Sequence, residues 1–185
     1  MNRPAPHQHC HGCGDAYAQV EAYPRTCGRC GMMVWMNPTP VSVLLVPVRH
    51  EARLGLLTVR RAIDPQKGKL ALVGGFLEAH ESWQVGGARE VVEETGVTVD
   101  ASSVQPFWFT STEPRPNRVL LFGTVAEVAS AHFEAFSASP ETSARGAVFG
   151  PEGLDEVFAF PLHCEAARRW FEARDLVGAH DFTQL

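Results

Sequence analysis

Two sets of residues in this 185-residue chain have the types and spacing that chemistry needs: carboxylates gathered around one arginine, and four paired cysteines. The carboxylates are Glu78, Glu81, Glu90, Glu93 and Glu94, all within Gly74–Val97, with Arg89 among them. Ser82 has the side chain of a helix N-cap, Thr95 reads as the last helical residue, and Gly96 suits the left-handed position that ends a helix. On that helix, advancing about 100° per residue from Glu90 at zero, Glu94 falls at about 40° and Glu93 at about 300°, so the three share one face. Like charges on one face repel unless something positive sits between them. Hard oxygen donors without histidine or cysteine suit magnesium or manganese. The opposite stripe, Val85, Ala88, Val91 and Val92, is the one expected to pack on a sheet, holding the acidic face outward. Gly86 and Gly87, at about 320° and about 60°, fall on the acidic side, where bare backbone serves either close packing or space for ions and a phosphate chain. Arg89, at about 260°, borders that face and could orient a neighbouring glutamate through a charge-assisted fork.

The cysteines form the pairs Cys10/Cys13 and Cys27/Cys30, thirteen residues apart, with Gly14 and Gly31 following each pair. Two residues between thiolates let both turn toward one ion, and the glycine relaxes the backbone there. The spacing is that of a zinc ribbon with a structural four-cysteine zinc site; the competing pattern, two disulfides, is rare in the cytosol. Four cysteines fill the tetrahedral shell, so His7, His9 and His11 are expected in solvent. Cys164, without a partner pair, reads as a buried helical thiol.

The elements that must position these groups follow from pattern and composition. An apolar share of 45% and room for one good core imply a globular main domain with a small appendage. A formal net charge of −5 gives no basic field for broad nucleic-acid binding. No run of apolar residues is long enough to span a bilayer and the start lacks a secretory-type apolar stretch, so the expected location is cytoplasmic. Pro38 and Pro40 suggest a linker, dividing residues 1–37 from residues 38–185. Strands are expected over 41–48, 54–61, 70–76, 104–111 and 118–128, with strand-like residues at 147–150 and a helix over 161–174. The fold class implied is α/β, a mixed sheet with helices on its faces.

From Gly75 the order Gly, five residues, Glu81, seven residues, Arg89, Glu90, Val91, one residue, Glu93, Glu94, one residue, Gly96, Val97 resembles the Nudix hydrolase box at every defined position. The resemblance extends to Arg60, Arg61 and Ala62 before the box, and it implies a Nudix-type α/β/α sandwich preceded by the ribbon. It further implies that Glu90, Glu93 and Glu94 bind magnesium or manganese with the Gly74 carbonyl, that Glu81 and Arg89 support them, and that a pyrophosphate bond is cleaved. Such enzymes often recruit a later acidic residue as base or ligand; Glu141 is the first candidate, with Glu113 and Glu152 competing. A ribbon before a Nudix domain resembles the NADH pyrophosphatase branch, whose downstream motif is partly kept in Ser103–Ser111, with Gln105 and Pro106 present and two later prolines missing. Val73 and His80 are further departures from common relatives. Arg60, Arg61, Gln105 and Trp108 are the substrate-binding candidates, and Phe107, Trp108 and Phe109 could offer part of a stacking platform. The expected substrate is a nucleoside diphosphate linked to another moiety, NADH, FAD or ADP-ribose ahead of nucleoside triphosphates or capped RNA, and relatives with ribbons suggest a homodimer. Two other readings stand beside it: a nucleotide sensor without hydrolysis, and a ribbon that binds RNA or protein with the larger domain as scaffold.

Overall fold

The structure is a computed structural model that describes residues 8–18, 23–113 and 117–185; His7 lies outside the described residues. The chain forms two compact units, Met1–Pro38 and Thr39–Leu185.

In the first unit, two tight turns repeat one hydrogen bond: Gly14 N–H donates to the Cys10 carbonyl at 2.8 Å and Gly31 N–H to the Cys27 carbonyl at 2.9 Å. Both glycines have positive φ, 75° and 73°, which a residue with a Cβ would adopt at a cost. Strand β1 (Arg25–Thr26) pairs antiparallel with β2 (Met33–Val34) across the second turn. Met33 and Val34 are therefore part of this hairpin. His9 and His11 are exposed.

The second unit is built on one sheet. Its strands are β3 (Thr39–Leu45), β4 (Pro47–His50), β5 (Arg53–Arg61) and β6 (Leu70–Phe76), then helix α1 (Trp83–Thr95), β7 (Gln105–Ser111), β8 (Arg118–Thr124), β9 (Val128–Ala129), β10 (Thr142–Phe149), helices α2 (Leu154–Val157) and α3 (Pro161–Glu172), and β11 (Asp181–Gln184). The order across the sheet is β11-β10-β5-β6-β3-β8-β7, with β4 beside β5 and β9. The sheet is mixed: β3 and β8 run parallel, as do β4 and β9, and the other pairs are antiparallel. Successive residues of β3 point to opposite faces. Val43 and Leu45 join the cluster of Leu72, Phe122, Trp170 and Phe171 under α3, while Leu44 joins Val59, Val73 and Val91 under α1. The helices thus cover both faces, giving an α/β/α sandwich.

Several boundaries differ from the sequence reading. Pro40 is the second residue of β3 rather than linker, in a strand whose first N–H, from Thr39, bonds the Asn117 carbonyl. The expected strand 41–48 is divided, because Pro47 has no N–H to carry the β3 ladder onward and the chain steps from β6 to β5 as neighbour. The strand around 147–150 is longer and starts at Thr142. Its partner β11 carries too little apolar pattern to be read in advance.

The helix over the carboxylates is capped as expected, with Ser82 Oγ accepting from Val85 N–H and Gly96 in the left-handed conformation. Its buried face is not. Val85 and Val92 are 47% and 44% exposed, and the buried residues are Gly86, Gly87, Ala88, Val91 and Thr95. The glycine side faces β3: a Cβ on Gly87 would lie 2.6 Å from Ser42 Oγ and 2.9 Å from Leu44 Cγ. Close packing therefore accounts for Gly87. Ser42 completes the contact by donating to the Trp83 carbonyl at 2.8 Å.

Candidate active site

The rotation of α1 sets its three C-terminal glutamates at different depths. Glu93 is the outermost, its side chain 57% exposed against 16% for Glu90. Glu94 turns toward β6, where its Oε2 accepts the Gly74 N–H at 3.2 Å. The acidic face is thus wedged against the end of a strand rather than held outward. Gly75 is what makes room, since a Cβ there would fall 2.3 Å from Glu90 Oε1.

Arg89 organises the remaining carboxylates. It forks onto Glu81, with Nε to Oε2 at 3.2 Å and Nη2 to Oε1 at 2.9 Å. Nη1 reaches Glu90 Oε1 at 2.9 Å and Glu93 Oε2 at 3.0 Å, and Nη2 also donates to the Phe76 carbonyl at 3.1 Å. Glu81 receives a further bond from the Glu78 N–H at 2.7 Å. The Arg89 fork holds the Glu81 carboxyl below its ordinary pKa. Sequence reasoning did not find the Phe76 carbonyl or the Glu78 N–H, because main-chain partners leave no residue-type signal.

Glu90 and Glu94 have the opposite electrostatics. Burial raises the Glu90 pKa against the pull of Arg89. Burial likewise pushes Glu94 up to about 8, opposed by the Gly74 N–H and reinforced by the charges of Glu90 and Glu141. Glu141, exposed at the start of β10, is the one of the three later acidic candidates whose charge acts on both. Glu152 is exposed, with its main-chain carbonyl accepting the His180 N–H at 2.9 Å, and Glu113 is exposed on the loop after β7.

The three glutamates share a face without meeting at a point. Among the described residues, the four cysteines are the one group of three or more His, Cys, Asp or Glu whose ligand atoms all lie within 4.8 Å of one another. Each glutamate nevertheless has one oxygen engaged and one uncommitted: Glu90 Oε2, Glu93 Oε1 and Glu94 Oε1 receive no hydrogen bond among the described residues. Uncommitted carboxylate oxygens, two of them on partly buried groups that repel each other, are the donor set a hard divalent cation fits.

The substrate-binding candidates separate. Arg61 projects with its guanidinium over Phe160 and its charge stabilises ionised Glu94. Arg60, next along β5, points to the other face, over Phe182, and donates to the Gly68 carbonyl at 2.8 Å. Gln105 is exposed on the edge strand β7. Trp108 stacks on Phe122 at 5.2 Å and lies under Arg169. A register shift between Pro106 and Trp108 breaks the alternation of β7, so Phe107 and Trp108 both pack on the cluster under α3, and Phe109, 75% exposed, is the open ring of the three.

In the first unit, Cys10 Sγ lies 3.7 Å from Cys30 Sγ and Cys13 Sγ lies 3.6 Å from Cys27 Sγ. Four sulfurs at about 2.3 Å from a tetrahedral zinc would stand about 3.8 Å apart, so the cluster has the dimensions of that shell. The Gly12 N–H lowers the Cys10 thiol pKa and favours its thiolate, whereas, against the Asp15 N–H, burial and the neighbouring sulfurs push the Cys13 thiol up to about 12. Cys164 is buried on α3.

Known proteins resemble this chain. A family model described as NUDIX domain matches residues 38–182. A MutT-like protein of Streptomyces ambofaciens is 45% identical over 64 residues, 35% of this chain, and the match spans 38% of that relative's length. A NUDIX hydrolase from Nitrosomonas europaea superposes with a TM-score of 0.65 at 23% identity, over 91% of this chain and 92% of its own. The NUDIX domain of Shewanella oneidensis NrtR, solved in complex with ADP ribose, gives a TM-score of 0.56 at 20% identity, over 76% and 89% of the two chains. At these identities the two structures speak to the fold.

Proposed function

The chain belongs to the NUDIX family, and from that premise we propose that it is a magnesium- or manganese-dependent hydrolase that cleaves the pyrophosphate bond of a nucleoside diphosphate linked to a second moiety. NADH, FAD and ADP-ribose are the favoured substrates. The observation that carries this reading is the set of uncommitted oxygens on Glu90, Glu93 and Glu94 beside Gly74, braced by Arg89. A related NUDIX domain that holds ADP ribose supports the substrate class.

In this reading Glu90, Glu93, Glu94 and the Gly74 carbonyl hold the ion, while Glu81 fixes Arg89 and Arg89 fixes Glu90 and Glu93. When bound, magnesium or manganese offsets the charge of the pyrophosphate and lowers the pKa of a bound water. Glu141 holds a proton or completes the donor set, and Arg61 offers a cation to a phosphate on the Glu94 side. Cys10, Cys13, Cys27 and Cys30 hold a structural zinc, residues 1–37 form the ribbon, residues 38–185 the hydrolase domain, and the protein acts as a homodimer.

Incubation with magnesium or manganese and a panel of NADH, NAD, FAD, ADP-ribose, diadenosine polyphosphates and nucleoside triphosphates, followed by ion-exchange separation, tests the reading. Cleavage within a pyrophosphate bridge is expected, the adenosine compounds with two linked moieties leading. A far higher specificity constant for nucleoside triphosphates overturns the substrate class alone. Tight binding with no cleavage under either metal overturns the enzyme. Glu94→Gln removes a ligand charge without changing shape, and should cut turnover by orders of magnitude with helical content unchanged.

A further inference from the structure

Arg145 is a buried cation held by main-chain oxygens. It lies on β10 between Ala144 and Gly146, 2% exposed. Its Nη1 donates to the Thr95 carbonyl at 2.7 Å, Nη2 to the Glu134 carbonyl at 2.8 Å and Nε to a main-chain oxygen of Leu185 at 3.2 Å. The rings of Phe133 and Phe136 lie 4.8 Å and 5.6 Å from its Cζ. Burial lowers its pKa, and among the described residues no acidic side chain offsets that effect. An ion held this way is expensive to bury. What it gains is a planar fork that ties three segments together, a geometry no other side chain offers.

Two of its attachments matter for the site. Thr95 is the last residue of α1, next to Glu94, and its carbonyl is among the helix-end acceptors that lack an intrahelical donor. The strand bearing Arg145 begins at Thr142, directly after Glu141. One side chain therefore joins the end of the helix that carries Glu90, Glu93 and Glu94 to the strand that follows Glu141.

We propose that Arg145 is a positioning residue for the metal site, fixing the spacing between Glu141 and the glutamates of α1. This rests on the reading of those glutamates as metal ligands. Arg145 touches neither ion nor substrate; it acts through the Thr95 carbonyl.

Arg145→Lys in the full chain keeps the charge but cannot reach three main-chain oxygens in one plane. The affinity for Mn2+ alone, from the paramagnetic resonance signal of the free ion, should weaken about tenfold or more, in the range expected when a support of metal ligands is lost. Val148→Ala, a buried change on the same strand facing the α3 side, is the control: it should lower the thermal midpoint while leaving Mn2+ affinity within about twofold, since it removes volume without touching the ligand geometry. Arg145→Lys with wild-type Mn2+ affinity overturns the proposal, as does equal weakening by Val148→Ala. A wild-type protein that binds no Mn2+ overturns the metal reading and the proposal together. If Arg145→Lys does not fold, Phe133→Leu takes its place, loosening the guanidinium while leaving its three acceptors; unchanged Mn2+ affinity in that variant also overturns the proposal.

Discussion

Gly75 and Glu90 occupy one another's space: a Cβ on the glycine would stand 2.3 Å from one carboxylate oxygen and 2.7 Å from the other. The strand must be bare there for the helix to seat its glutamate. Gly75→Ala should displace Glu90 and reduce turnover by at least about a hundredfold, the usual cost of an ångström-scale misplacement in a site. The fold should survive, with circular dichroism unchanged, because the rest of β6 keeps its pairing. Wild-type turnover in Gly75→Ala would show that Glu90 is not held where the reaction needs it.

Arg89 joins Glu81, Glu90, Glu93 and the Phe76 carbonyl, and only a planar donor can serve them together. Arg89→Lys retains the charge and loses the fork. Turnover should drop about tenfold to a hundredfold, with Mn2+ affinity weakened in parallel, as for other supports of metal ligands. If charge alone sufficed, lysine would restore both, and kinetics at several Mn2+ concentrations would show it.

The carboxylate cluster was legible because residue type and spacing define it: Ser82, Thr95 and Gly96 mark the helix ends, and the glutamate intervals place three side chains on one face. Which way that face points was not legible. A helical wheel assigns Val85 and Val92 to the core, but Gly87 allows so close an approach to Ser42 and Leu44, and Gly86 to Leu77 and Glu81, that the helix seats on its glycine side. Apolar pattern reports transfer preference and is blind to backbone contact distance. The same blindness hid the bulge at Pro106 that puts Phe107 and Trp108 on one face, and the main-chain partners of Arg89. Arg145 was missed for a related reason: an arginine satisfied by main-chain oxygens leaves no residue-type signal in the sequence.

Gly87→Ala tests the seating directly. Alanine favours a helix by about 1 kcal/mol over glycine, so an exposed position would gain stability. Here the added Cβ meets Ser42 Oγ and Leu44, and overpacking should outweigh that gain with a net loss of about 1–3 kcal/mol in denaturant unfolding. A stabilised Gly87→Ala protein would mean that α1 does not lie against β3 as described.

The cysteine cluster yields the last prediction. Its sulfurs are spaced as a tetrahedral zinc shell requires, and both turns are closed by a matching glycine hydrogen bond. A site of that kind contributes to folding directly, since the ligands have little else to hold them together. Elemental analysis of freshly purified protein should give about one zinc per chain. Cys27→Ser should lose the metal and the protease resistance of the first unit. Residues 39–185 have their own cores on both faces of the sheet, so their helices and cooperative unfolding should persist. A zinc-free wild type would refute the ribbon. A Cys27→Ser variant that retains stoichiometric zinc would show that the ion sits elsewhere.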